Sequence, residues 1–200
     1  MGQPTDLENI KAALARPARP SSDYDLNPEV VLPEGRKLRP AAVLIALEEG
    51  PAGPTVLLTK RASHLKHHPG QIAFPGGKID EGDSGPRAAA LREAWEEIGL
   101  LPENVEVLAK LPCHETVTGY DVFPILARVK APFDPMPEAG EVAEVFRVPL
   151  SFLMDPSNFN VESRRWRGAR RHFFTIPYGP YYIWGATARI LKSLADRWQA

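Results

Sequence analysis

Three glutamates stand close together in Arg92-Glu93-Ala94-Trp95-Glu96-Glu97. Drawn as a helix at about 100° per residue, the segment gathers Leu91, Ala94, Trp95 and Ile98 into one apolar stripe. Glu93, Glu96 and Glu97 share an arc on the other side, so the spacing predicts a core-facing stripe backed by a carboxylate face. Carboxylates at i, i+3 and i+4 repel by roughly 0.2–0.5 kcal/mol per close pair. The last two also lie near the helix C-terminus, where the helix dipole disfavours negative charge. Arg92 reaches Glu96 and offsets part of this. A solvated acidic face accounts for the pattern by itself. The alternative is a site for a hard divalent cation: Mg²⁺ prefers oxygen ligands, keeps several waters, and is shared between one or two carboxylates and substrate phosphates.

The residues before the helix favour the second account. In Phe74-Pro75-Gly76-Gly77-Lys78-Ile79-Asp80-Glu81-Gly82-Asp83, paired glycines let a backbone carbonyl turn to an ion and let phosphate approach without interference from Cβ. Lys60 and Arg61 end an apolar run and Lys66 follows, either as a phosphate-facing set or as the solvated end of a strand. His64, His67 and His68 have helical spacing but lack a partner set for zinc. The hydroxyls of Thr116-Val117-Thr118-Gly119-Tyr120 belong to a flexible segment that can lie over a substrate. The densest basic patch, Arg164, Arg165, Arg167, Arg170 and Arg171, reads most simply as a solvated hairpin, with subunit contacts or an anionic substrate as the other accounts. Trp184 reads as a core anchor.

These residues need elements to hold them. Asp6, Leu7, Ile10 and Leu14 predict a short amphipathic helix over 6–15, and Pro17, Pro20 and Pro28 make 16–35 an extended connector. Residues 41–47 form an apolar run expected to be a strand buried on both faces, returning through a turn at 48–54 to a strand at 56–59. Further strands are expected at 71–74, 105–108, 120–130, 142–148 and 172–176. Pro86 inside its first turn and Gly99 past its end bound the glutamate helix at 86–98. Short and long helices follow at 149–154 and 186–198. The pattern is α+β, an α/β/α sandwich around a mixed central sheet, with an N-terminal helix and Pro-rich connector at 1–35 and the main domain at 36–200.

Composition narrows the setting. The 200 residues, 44% hydrophobic and 24% charged, suit one domain with an appendage. Cys113 is the only cysteine, which excludes an internal disulfide and a cysteine metal cluster, and it is expected to be a small buried hydrophobe. A formal net charge of −1 argues against nonspecific wrapping of nucleic acid. No apolar run nears the roughly 18 residues of a membrane span. Met1-Gly2-Gln3-Pro4 lacks the start of a signal peptide, so a cytoplasmic setting is the expectation.

Taken together, Gly77, Asp83 and Arg92 to Leu100 resemble the signature box of the Nudix hydrolases, G-x5-E-x7-R-E-U-x-E-E-x-G-U with U aliphatic. Residues 92–100 match its second half with Ala94 at an aliphatic position. Asp83 stands for the first Glu, and the gap from it to Arg92 is one residue longer. A second stretch, Leu57-Leu58-Thr59-Lys60-Arg61-Ala62 with Lys66, Gly70 and Phe74-Pro75-Gly76-Gly77, resembles the accessory motif of the coenzyme A diphosphatase branch, with Lys66 where that motif has Arg. Lysine keeps the charge but loses the planar fork that grips phosphate through two bonds.

The resemblance spans about residues 38–195. It implies a Nudix-type fold and hydrolysis, dependent on Mg²⁺ or Mn²⁺, of the diphosphate of coenzyme A or acyl-coenzyme A. It also implies metal contacts from Gly76, Glu93, Glu96 and Glu97, catalytic roles for Arg92, Glu96 and a later glutamate, and substrate contacts from Lys60, Arg61, Lys66, Gly77 and Thr116. Glu141 is the first choice for the general base, ahead of Glu144, with Glu138 close enough to compete. ADP-ribose or another nucleoside diphosphate derivative is the alternative substrate. A non-catalytic nucleotide sensor is the alternative role. The expected partners are a small-molecule substrate and a second copy in a homodimer, with no nucleic acid and no membrane.

Overall fold

A computed structural model describes residues 6–66, 68–166 and 168–199. Met1 to Thr5, His67, Arg167 and Ala200 lie outside these. In chain order, helix α1 (Asp6–Ala15) precedes the short strand β1 (Ser21–Ser22). The hairpin of β2 (Arg39–Gly50) and β3 (Gly53–Arg61) follows, then β4 (Ile72–Ala73), β5 (Gly76–Lys78) and helix α2 (Pro86–Ile98). Next come β6 (Val105–Lys110), β7 (His114–Glu115), β8 (Tyr120–Val129), β9 (Val142–Pro149) and the short helix α3 (Leu150–Met154). A meander of β10 (Asn160–Trp166), β11 (Ala169–Tyr178) and β12 (Tyr181–Trp184) leads into helix α4 (Ala186–Gln199).

Strands β1 to β9 make one mixed sheet, in which β2 runs parallel to β8 and β1 parallel to β7; β10 to β12 make a smaller antiparallel sheet. The alternation along β2 decides the layers. Ala42, Leu44 and Ala46 join Ala89, Ala90, Ala94 and Ile98 of α2 in one core. Ala41, Ile45 and Leu47 point the other way, into a core with Ile10 of α1, Leu150 and Leu153 of α3, and Leu191 and Leu194 of α4. The strand is therefore buried on both faces and the molecule is an α/β/α sandwich, as its apolar run predicts.

The central hairpin opens. β2 and β3 pair only beside their turn, from Leu47↔Val56 to Gly50↔Gly53. Beyond that the strands separate, and the chain from Ile72 to Lys78 fills the gap, with β4 pairing to β3 and β5 pairing antiparallel to β2. Pro75 bridges them by accepting a hydrogen bond from Leu44 N–H at 2.8 Å. The strand expected at 71–74 is present as β4 and stops before Pro75, which has no N–H to continue a ladder; β5 begins at Gly76, where the sequence suggests only an end. β1, β7 and the separate strands β10 and β12 carry no sequence pattern long enough to announce them, although the arginine segment does form the expected hairpin.

The connector after α1 is tied down. Asn27 is 1% exposed; its amide donates to His172 C=O at 2.9 Å and accepts from His172 N–H at 2.7 Å, on β11. Replacing it by Ala leaves two partly buried backbone groups of His172 without this partner, each worth about 1–3 kcal/mol where water cannot replace it. We therefore expect Asn27→Ala to lower unfolding stability by roughly 2–3 kcal/mol, measured from the urea midpoint. An unchanged midpoint would show that the clasp contributes nothing.

Candidate active site

The site is built around the passage of Gly76 and Gly77 between a strand and a helix. A Cβ on Gly76 would stand 2.4 Å from Ala42 C=O, and its φ of 156° disfavours any other residue. A Cβ on Gly77 would stand 2.4 Å from Glu93 Oε1 and 2.7 Å from Oε2. Only glycine lets the chain run against β2 on one side and the carboxylates of α2 on the other.

Helix α2 is turned from the orientation its sequence suggests. Trp95 is 52% exposed, whereas Ala89, Ala90, Ala94, Glu97 and Ile98 are buried. The buried face is centred roughly 85° from the Leu91-Ala94-Trp95-Ile98 stripe. The cause is size: the alanines lie flat against Ala42, Leu44 and Ala46, a close approach that an inward Trp95 would prevent. The rotation separates the three glutamates. Glu96 stays exposed, Glu93 comes to the edge of the buried face, and Glu97 goes under it, 4% exposed.

Glu97 Oε2 accepts a hydrogen bond from Gly76 N–H at 3.2 Å. Burial pushes its carboxyl up to about 8, helped by Glu93 and Glu141 and opposed by the Gly76 N–H and Arg61. Glu93 is also raised, first by burial and then by Glu96 and Glu141, against the pull of Arg92. Two desolvated carboxylates and a third acid thus share one field.

Arg92 organises the outer side. It donates to both oxygens of Asp83, Nε to Oδ1 at 3.1 Å and Nη2 to Oδ2 at 2.9 Å, and from Nη1 to Glu93 at 3.0 Å and Glu96 at 2.9 Å. Nη2 also reaches Lys78 C=O at 3.1 Å. The bidentate pair holds Asp83 below the usual carboxylate range. Asp83 itself accepts from Asp80 N–H at 2.9 Å. The shorter side chain and the extra residue before the helix therefore still deliver an acid to Arg92.

A cleft of about 730 Å³ opens over this floor, lined by Gly76, Gly77, Glu93, Arg61, Glu141 and Thr116, with Trp184 and Thr187 on one wall. Thr116 Oγ1 accepts from Tyr120 N–H and shares a hydrogen bond with Thr118, each at 3.0 Å. Of the later glutamates, Glu141 lines the cleft. Glu144 binds the Tyr181 hydroxyl, and Glu138, whose N–H donates to Glu97 C=O at 2.9 Å, is exposed. Lys60 lines a neighbouring hollow rather than the cleft, and Lys66 stands exposed on the loop between β3 and β4. Cys113 is half-buried rather than fully so, with its thiol raised by burial and by Asp121. Trp184 is half-buried and faces the cleft instead of anchoring the core.

One wall comes from an element without a sequence signal. Asp23, in the connector, accepts from Val117 N–H at 2.8 Å and lies 3.1 Å from Nε2 of the buried His114, whose Nδ1 is 3.0 Å from Ser21 Oγ. These contacts span more than ninety positions of sequence and fix the loop that carries Thr116.

Among the described residues no three Asp, Glu, His or Cys side chains converge into a complete metal cage. Mg²⁺ does not need one, since it keeps waters and borrows oxygens from substrate phosphate. Glu93 and Glu97 fit such an ion: both are carboxylates raised first by burial and then by neighbouring acids, and the space that a Cβ would fill at Gly77 opens onto Glu93.

Comparison with known proteins places these features in a family. A family profile described as NUDIX domain matches residues 37–167. A protein named Uncharacterized Nudix hydrolase NudL from Enterobacter sp. (strain 638) is 43% identical over 157 residues, which cover 78% of this chain and 81% of that protein. Its namesake from Escherichia coli (strain K12) is 40% identical over the same shares. Among solved structures, the Nudix hydrolase RenU from M. smegmatis aligns with a TM-score of 0.49 at 28% identity, over 57% of this chain and 73% of that one.

The burial of Glu97 has a consequence for the metal-free protein. Its folded carboxyl, at about 8, holds a proton more tightly than the ordinary value of 4.5. Its contribution to stability is therefore intact below about pH 4.5 and lost as pH rises through about 8. Gln keeps the acceptor for Gly76 without the charge. In chelator at pH 8, Glu97→Gln should raise the melting temperature by roughly 2–4 °C, with little difference at pH 4.5. A lower melting temperature at pH 8 would contradict the assignment.

Proposed function

From the premise that the chain belongs to the Nudix hydrolase family, we propose that it hydrolyses the diphosphate of coenzyme A or acyl-coenzyme A, yielding 3′,5′-ADP and 4′-phosphopantetheine or its acylated form. The observation that carries this reading is the placing of Lys60 and Arg61. The β3–β9 ladder shifts register between these two residues, and Arg61 lines the cleft with Glu93 while Lys60 lines the hollow beside it. Coenzyme A needs such a division, because its adenosine bears a 5′-diphosphate and a separate 3′-phosphate.

The reading assigns roles to the chain's own groups. Glu93 and Glu97, with the Gly76 carbonyl, hold the divalent cation, and Glu96 binds a further ion or its water. When bound, Mg²⁺ or Mn²⁺ neutralises the diphosphate and polarises the attacking water. Arg92, anchored by Asp83, keeps Glu93 and Glu96 in register. Gly77 admits a phosphate to the floor, and Arg61 and Thr116 meet its oxygens. Lys66, outside the cleft, adds positive charge at its approach. Glu141, exposed and on the cleft wall, takes the proton of the water as the P–O–P bond breaks. Among the described residues no helix is long and apolar enough to cross a membrane.

With Mg²⁺ or Mn²⁺ present, mass spectrometry of the coenzyme A reaction should show 3′,5′-ADP and 4′-phosphopantetheine. Glu141→Gln should lower kcat by about 10²–10⁴-fold while KM changes little. Turnover of ADP-ribose or a dinucleotide with none of coenzyme A would move the substrate elsewhere in the family.

A further inference from the structure

The hollow beside the cleft holds about 370 Å³ and is lined by Lys60, Arg164, Tyr182 and Trp184, among others. His68, Gln71 and Trp184 line both spaces, so the two share a wall. The lining comes from separate parts of the chain: Lys60 ends β3 of the large sheet, whereas Arg164 and Trp184 belong to β10 and β12 of the small one.

Arg164 lies among aromatic rings and hydrogen-bonds with the Tyr182 hydroxyl. Its guanidinium carbon lies 5.3 Å from the centre of the Trp184 ring and 5.9 Å from those of Tyr182 and Phe173. Two acids stand at the border of the hollow, Glu144 accepting from the Tyr181 hydroxyl and Glu162 from the Tyr182 hydroxyl at 2.7 Å. Two cations and an indole face one space bordering the diphosphate floor. A guanidinium over aromatic rings has further N–H groups to offer an anion besides the one that meets the Tyr182 hydroxyl.

Resting on the coenzyme A reading, we propose that this hollow is the substrate's second-phosphate subsite, with the 3′-phosphate between Lys60 and Arg164 and the adenine against Trp184. The chemistry of the substrate demands adjacency. Both phosphate groups hang from one ribose, so the second anion site must border the first, as a hollow sharing a wall with the cleft does. The basic hairpin of β10 and β11 thereby acquires a use at Arg164, exposed like Arg165 and Arg170 but on the lining of the hollow.

The test compares coenzyme A with 3′-dephospho-coenzyme A under Mg²⁺. The wild-type enzyme should favour coenzyme A in kcat/KM. Arg164→Gln should reduce that preference roughly tenfold, chiefly through KM for coenzyme A, as expected for loss of a charge-assisted contact. Lys60→Gln should act in the same direction. Trp184→Ala should weaken both substrates together. Equal losses on both substrates in Arg164→Gln, or an unchanged ratio, would overturn the subsite while leaving the coenzyme A reading standing. Failure of the wild-type enzyme to cleave either compound would overturn the reading and the subsite with it.

Discussion

The arrangement depends on one close passage: the Gly76-Gly77 backbone lying between β2 and the carboxylates of α2. On one side Gly76 touches the Ala42 carbonyl, and on the other Gly77 abuts Glu93 while Gly76 N–H binds Glu97. Close packing leaves no room for a side chain there. The same passage brings two acids to a floor with little water to solvate them. The repulsion between Glu93 and Glu97 is a cost in the empty protein that a bound cation reverses.

Everything around this contact serves to hold it. The alanine face of α2 sets the helix close to β2, and the opening of the β2–β3 hairpin makes the gap through which the glycine strand enters. Arg92 clamps the far side of the carboxylates and is itself clamped by Asp83. The connector supplies the opposite wall, where Asp23 and His114 fix the Thr116 loop, and Asn27 fastens the connector to β11. The candidate site thus draws on both cores, one holding the carboxylate floor and the other the walls of the cleft.

Much of this was legible in the sequence. The bounds of α2 follow from Pro86 and Gly99, and the apolar run of β2 reports burial on both faces. The α/β/α order follows from the alternation of elements. The rotation of α2 was not legible, because periodicity weighs Trp95 as strongly apolar and cannot register that alanines pack closer. Nor was the separation of Lys60 from Arg61 into two spaces, which depends on where the small sheet meets the large one. Asp23 and Arg164 lie in segments whose local pattern says only connector and hairpin; their relevance arises from contacts distant in sequence.

The central claim is that Glu93 and Glu97, beside the glycine strand, receive a divalent cation. Crystals grown with Mn²⁺ and measured near its absorption edge test it directly. The account predicts an anomalous peak at ordinary oxygen-ligand distance from the Glu93 and Glu97 carboxylates, next to Gly76. A protein that turns over substrate with its manganese elsewhere, and no peak between these two glutamates, would contradict it.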